Sequence, residues 1–315
     1  MTVFERGMQS IFFRETGMTI RNSSYSAGLF WIVATATLWS FLGLIGKYCL
    51  AQGMPPMQYA FWRCIFGGAA FFLHCAFAGS LRIPARHALL FMLFGVWGIG
   101  VYYSCAQYTI QLAGAATDII LQYTAPVWVA LFARLLFRER LTGVKLASMM
   151  IAALGTVCVC FSGGSLPEAS PLLAVGIATG LTTGLCYASH YPFTRWWQQR
   201  YSSPVIFAWM LAGGALALAL VMGFDAPLRL DFPLPVWGAS IATGLFCTYF
   251  AFICYGKALQ RISLVRAVIV SELDPVLSML WVWLAFGERF GALGWCGSVL
   301  IIVSVLVLAL SRAEE

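Results

Sequence analysis

Apolar residues run along this chain in long stretches broken by short polar connections. The stretches cover residues 28–50, 57–79, 88–111, 115–137, 144–162, 171–194, 204–223, 236–258, 264–286 and 291–311. A bilayer core is spanned by about 20 apolar residues in helical form. The pattern therefore predicts an all-α, polytopic membrane protein of ten transmembrane helices. Turn residues mark the connections at Pro55-Pro56, Arg82-Ile83-Pro84, Ser162-Gly163-Gly164, Ser203-Pro204 and Pro233-Leu234-Pro235. None of these connections is long enough to hold a soluble domain. Residues 1–27 read as a cytoplasmic segment without the apolar core of a cleavable signal. Phe4, Met8, Ile11 and Phe12 have helical spacing, which would suit an interfacial helix. A disordered tail, or a start at Met18 that leaves residues 1–17 outside the native protein, is the preferred reading.

The chain also repeats itself. At an offset of 149 residues, Gln111 meets Gln260, Pro126 meets Pro275 and Glu139-Arg140 meets Glu288-Arg289. At an offset of 148, Trp39 meets Tyr187, Lys47 meets Arg195 and Pro56 meets Pro204. One single-residue insertion reconciles the two offsets. The repeat divides the chain into residues 28–162 and 171–311, with five helices in each part. Five is odd, so the second half enters the membrane from the opposite side. Inverted repeats of this kind are typical of secondary transporters, with the substrate site between the halves near the midplane.

Composition agrees with a lipid solvent. Of the 315 residues, 61% are hydrophobic and only 10% are charged, against roughly 25% charged in soluble domains. The net charge of +7 does not indicate nucleic-acid binding, because the basic residues are split among short connections. With the N-terminus inside, fifteen Lys and Arg fall on the inner side, from Arg6 to Arg312. Lys47, Arg229 and Arg289 fall outside, and Arg63 lies within the second helix. The positive-inside rule then places both termini in the cytoplasm. The ten cysteines lie almost all in apolar runs, with no CxxC spacing or zinc-type His pairing. They read as small buried residues, and neither a metal nor a cofactor is expected.

A charge at mid-bilayer costs roughly 2.5–3.5 kcal/mol on insertion scales, so each deep one needs a reason. Glu272 and Asp274 sit beside Pro275, which frees a backbone carbonyl one turn earlier. They read either as a proton or substrate-ammonium site or as structural acids. Asp118 lies near the outer helix end and reads as solvated. Arg63 reads as snorkelling or paired with an acid, and Glu139 and Glu288 as helix-end ion pairs with arginine. Helical phase groups the other polar positions into stripes. These are Gly100, Tyr103, Ser104, Gln107 and Gln111; Asp118, Gln122 and Pro126; Ser271, Asp274 and Ser278; and Thr179, Thr183, Tyr187 and His190, matched by Thr35, Trp39 and Leu42. The stripes suit a cavity with aromatic walls and a few hydrogen-bonding groups, or polar contacts between helices. The candidate substrate-binding residues are Trp39, Tyr103, Gln107, Gln122, Tyr187, His190, Ser271 and Glu272. Pro126 and Pro275 are expected to break their helices. Gly176, Gly180 and Gly184 form a small-residue packing face, and Trp196, Trp197 and Trp237 an interfacial belt.

Four features carry a resemblance to a known family: Trp39-Ser40, the units Pro126…Glu139 and Pro275…Glu288, and Tyr255-Gly256-Lys257-Ala258-Leu259. The chain resembles the drug/metabolite transporter superfamily in its ten-helix EamA-type branch from about residue 28 to 310. In aromatic character it is similar to bacterial aromatic amino acid exporters. The resemblance implies an exporter of small metabolites, often amino acids, in the bacterial inner membrane. The branch often carries an acid before the proline, where this chain has Ala125 in the first half and Asp274 in the second.

No Walker-type phosphate loop is present, so ATP does not drive the process directly. An intramembrane enzyme lacks a nucleophile elbow or a placed base, and a receptor or channel gives no reason for the repeat. Sugar phosphates or nucleotide sugars would favour basic cavity residues, and Arg63 is the sole deep base. The expected substrates are amino acids with bulky apolar or aromatic side chains, extending to aromatic cations. Trp39 and Tyr187 would sandwich the ligand ring from opposing walls. Gln122 and Ser271 would hold its backbone, with Glu272 as a further ammonium partner. Besides substrate and lipid no partner is expected, and a monomer is the expected unit.

Overall fold

The protein, seen as a computed structural model, is described over residues 22–161, 172–225, 228–287 and 291–311. The spacing at Phe4 to Phe12, the Ser162-Gly163-Gly164 turn, Glu288-Arg289 and Arg312 lie outside the described residues. Within them the chain forms ten helical rods and no strand. These are α1 (Asn22–Ala51), α2 (Pro56–Phe77), α3 (Ala85–Gly95 and Tyr102–Ala113), α4 (Ala115–Gln122 and Ala125–Phe137) and α5 (Gly143–Phe161) in the first half. The second half holds α6 (Leu173–Trp197), α7 (Ser203–Asp225), α8 (Leu234–Ala242 and Ala251–Leu259), α9 (Leu264–Ser271 and Leu273–Phe286) and α10 (Ala292–Leu310). Nine of the described rods are long and apolar enough to cross a bilayer. The exception, α6, is long enough at 25 residues but carries threonines, tyrosines and a histidine along its buried face.

Structure and sequence repeat in register. At the 149-residue offset α4 and α9 start at Ala115 and Leu264 and end at Phe137 and Phe286. Both are closed by a residue in the left-handed region, Arg138 at φ 54° and Gly287 at φ 67°. A left-handed residue after the last turn lets its N–H reach back to an orphan carbonyl. Here these N–H groups bond to Ala133 and Trp283. Both α3 and α8 contain a π-helical turn, Val96–Val101 and Thr243–Phe250, ending at repeat-matched residues. The packing follows the same symmetry. Helix α5 crosses α10 and α2 crosses α7, while α6 packs on α3 and α4 as α1 packs on α8 and α9.

Glycines set the closest crossings. A Cβ on Gly95 would stand 1.9 Å from the Met210 carbonyl oxygen, and one on Gly213 would stand 2.0 Å from that of Met92. The repeat mate of Gly95 is Gly244, whose Cβ would lie 2.4 Å from Phe66 on α2. Gly176, Gly180 and Gly184 seat α6 on Ala113, Leu121 and Thr124. Such small residues let helix backbones approach where lipid supplies no hydrophobic drive between them. The outward faces are apolar, with Leu73, Leu135, Met150, Leu220 and Leu306 all exposed.

Two polar fastenings complete the frame. In the α7–α8 connection Arg229 bonds both carboxylate oxygens of Asp231 at 3.1 Å, which holds that carboxyl below its usual range. Among the described residues Glu139 does not make the expected arginine pair. Its Oε1 accepts the Leu264 backbone N–H at 2.9 Å, so a carboxylate from the first half caps a helix of the second. The first N–H groups of a helix lack partners and attract an anion.

Candidate functional site

The breaks in the rods position the site. Proline lacks an N–H and clashes with the carbonyl four residues earlier. Pro126 stands in the first turn after the Tyr123-Thr124 break in α4, and Pro275 in the first turn after the break at Glu272 in α9. The carbonyls they release belong to Gln122 and Ser271, which are repeat mates. The π turns add one residue to a turn and redirect the backbone. In α3 this turn brings the Gly98 carbonyl to His190, whose Nε2–H donates to it at 2.9 Å. In α8 the Thr248 hydroxyl donates back to Thr243 O at 3.3 Å and accepts from Arg63 Nε at 2.8 Å.

A cavity of about 100 Å³ lies among these breaks, lined from eight of the ten rods but not from α5 or α10. Its aromatic wall consists of Trp39, Tyr102, Tyr103, Tyr187, Tyr191, Phe252 and Tyr255. Trp39 is the hub, with ring centroids 6.2 Å from Tyr187, 5.9 Å from Phe252 and 5.7 Å from Tyr255. Behind the wall, Tyr187 and Tyr191 hydroxyls meet at 3.1 Å, and Tyr191 donates to Ser271 Oγ at 3.2 Å. Ser271 in turn donates to Ala267 O at 2.8 Å. The indole N–H of Trp39 is buried and has no hydrogen-bond partner among the described residues. Gln122, His190, Gly98 and Leu42 also reach the cavity.

Of the expected site residues, Trp39, Tyr103, Gln122, Tyr187 and His190 line this cavity; Gln107, Ser271 and Glu272 do not. The cause is local geometry. Gln107 stands one regular turn past Tyr103, beyond the α3 residues that line the cavity, and a phase read on an unbroken helix fails to carry across the break at Glu272. Ser271 is held behind Tyr191. Glu272 is buried beside Thr156 of α5, its nearest polar neighbour, away from the cavity. Trp39 and Tyr187 do not sandwich a gap. At 64° between ring planes they meet edge to face, forming a corner against which one face of a ligand ring can rest.

Two further expectations are corrected. Asp118 is buried rather than solvated, because α4 is covered there by α3, α5 and α6. Arg63 does not snorkel, and among the described residues it makes no ion pair with an acid. Its guanidinium lines the cavity, bonded to the hydroxyls of Thr248 and Tyr103. Asp274 lines the cavity as well. The repeat carried a signal for both charges, since Arg63 is matched by Leu211 and Asp274 by Ala125. Tyr191 follows Tyr187 by one helical turn, and Tyr255 follows Phe252 by three residues, so both were readable by spacing.

Glu272→Gln is expected to slow transport more than Asp118→Asn. Glu272 occupies the α9 break that aims Asp274 into the cavity, whereas Asp118 stands one turn before Gln122 and is not among the residues that line it. Initial flux rates of the two purified variants in liposomes compare them directly, and equal rates would detach Glu272 from the mechanism.

A helical membrane protein of two inverted five-helix halves around one central cavity is built as a carrier of small solutes. The sequence matches the EamA-like transporter family over residues 26–161 and 174–310, and the chain belongs to that family. It is 26% identical to the uncharacterized inner membrane transporter YicL of Salmonella typhimurium, over 91% of this chain and 97% of that one. It is 22% identical to the pseudopaline exporter CntI of Pseudomonas aeruginosa, over 92% and 97% of the two chains. A probable terminal-alkyne amino-acid exporter of Streptantibioticus cattleyicolor is 23% identical, over 75% and 79%. A solved crystal structure shares the fold with a TM-score of 0.79, covering 94% of this chain and 100% of the other at 23% identity.

Proposed function

We propose that this transporter exports amino acids with bulky apolar or aromatic side chains across the bacterial inner membrane. Residues 28–162 and 171–311 act as the two moving halves of an alternating-access cycle. The observation that carries this reading is the cavity between the halves, walled by seven aromatic rings and a few polar groups. Contact with an aromatic wall favours a ligand ring by about 0.5–1.5 kcal/mol per ring pair beyond area burial. The relatives named as exporters of pseudopaline and of a terminal-alkyne amino acid support the class of cargo. An apolar wall separates ligands differing by a methylene by only about 1–3 kcal/mol, so several apolar amino acids share the site.

Counterflow in liposomes tests the reading. Purified protein is reconstituted, and uptake of labelled phenylalanine is challenged with each of the twenty amino acids and with sugar phosphates. Phenylalanine, tryptophan and large aliphatic amino acids are expected to compete. Competition by sugar phosphates, with the aromatic amino acids inert, would overturn it.

Both termini are assigned to the cytoplasm by the distribution of Lys and Arg. A reporter fused after Arg312 is expected to be active only in its cytoplasmic form. Activity of a periplasm-dependent reporter at that position would reverse the topology.

A further inference from the structure

The geometry points to a charge clamp for a zwitterion, in which Arg63 takes the carboxylate of the substrate and Asp274 its ammonium group. This rests on the proposed amino acid cargo and assigns the two ends of that substrate to opposite halves of the protein. Arg63 and Asp274 are the charged side chains that line the cavity. Each belongs to one half, and each is matched in the other half by an apolar residue, Leu211 and Ala125. Among the described residues the repeat thus gives the cavity one cation and one anion.

Among the described residues neither charge has an opposite charge within ion-pair distance. Arg63 uses Nε on Thr248 and one terminal nitrogen on Tyr103, which leaves its other terminal nitrogen without a partner among the described residues. A guanidinium offers five N–H donors in a planar fork suited to a carboxylate. Asp274 Oδ1 lies 3.1 Å from Ser278 Oγ, but that hydroxyl also lies 2.9 Å from the Ser40 carbonyl oxygen. A serine has a single proton to donate, so it cannot serve both acceptors fully, and the Tyr123 hydroxyl is the other neutral donor beside the carboxylate. Among the described residues neither Arg63 nor Asp274 makes an ion pair, with each other or with any third group. Two opposite charges held apart in one low-dielectric cavity are costly unless something bridges them. A zwitterion bridges them while leaving the site neutral. Gln122, whose side-chain amide has no described partner, lies on the same cavity. The aromatic corner at Trp39 is then left for the side chain.

An amine without a carboxylate would strand Arg63, and a carboxylate without an amine would strand Asp274. A site built to bind a polar group rejects analogues that lack it far more strongly than it rejects a missing methylene.

The test uses counterflow of labelled phenylalanine in liposomes, with unlabelled phenylalanine, 3-phenylpropionate and phenethylamine as competitors. In the wild type both analogues are expected to compete at least about tenfold more weakly than phenylalanine. Arg63→Gln should lose discrimination against phenethylamine and keep it against 3-phenylpropionate. Asp274→Asn should do the reverse, and Arg63→Lys should keep the wild-type pattern. A merely structural role would weaken all three competitors together. Wild-type competition by either analogue equal to that of phenylalanine overturns the clamp, even if a variant does not fold. So does unchanged discrimination in both folded variants. Absence of counterflow with any amino acid would instead sink the cargo assignment on which the clamp rests.

Discussion

Trp39→Ala is expected to raise the half-saturation concentration for an aromatic amino acid by about tenfold or more, the equivalent of about 1.4 kcal/mol of lost binding. Trp39 touches Tyr187, Phe252 and Tyr255 at once, so its removal takes away the floor of the aromatic corner and unpins three other rings. Truncating a buried Trp or Phe to Ala costs roughly 3–5 kcal/mol of stability, so a lower melting temperature should accompany the change. Trp39→Phe keeps a ring in contact and should recover most of both properties. Substrate-dependent thermal shifts measured on both variants separate the two effects. Wild-type affinity in a folded Trp39→Ala protein would remove the corner from the binding site.

The largest effect on folding is expected at the α3–α7 crossing. Gly95→Val or Gly213→Val should leave little or no monodisperse protein after extraction in detergent. The first added carbon at these positions would meet a backbone carbonyl oxygen at 1.9 and 2.0 Å, far inside van der Waals contact, and main chain cannot rotate aside as a side chain does. Overpacking typically costs 1–3 kcal/mol even where side chains can yield, and here two helices would have to separate. Gly143 and Gly238 have open space at the same position, so Gly143→Ala and Gly238→Ala serve as tolerated controls. Normal yield and melting temperature for Gly213→Val would mean that the crossing is looser than described.

The frame was legible because apolar run length and turn residues report directly on what lipid requires. The span expected at 264–286 coincides with α9, and that expected at 144–162 with α5 to within a residue. The repeat was legible through Pro126 and Pro275 and the residues that follow them. The details of the site were less so, for a physical reason. Stripes drawn at 3.6 residues per turn assume an unbroken helix, whereas the site is made where the helix is interrupted. The π turns at Val96–Val101 and Thr243–Phe250 leave no mark in hydropathy. Gln107 shares a helical face with Tyr103, but it stands a turn further along α3 and only Tyr103 reaches the cavity. Glu272 drew attention as a deep acid, but the break at that residue gives the cavity to Asp274. Arg63 shows its significance once it is set beside Leu211, because an unmatched charge in a repeat marks where the two halves do different work.

Access to the cavity during transport tests the central claim most directly. In a background whose ten cysteines are replaced and which retains counterflow, Leu42→Cys places one thiol on the cavity wall. Leu42 lines the cavity without a polar role. A bulky, water-soluble thiol reagent is expected to label this position and abolish phenylalanine counterflow, and excess phenylalanine is expected to slow the labelling. Complete labelling with counterflow intact and no protection by substrate would contradict the assignment of this cavity as the transport path.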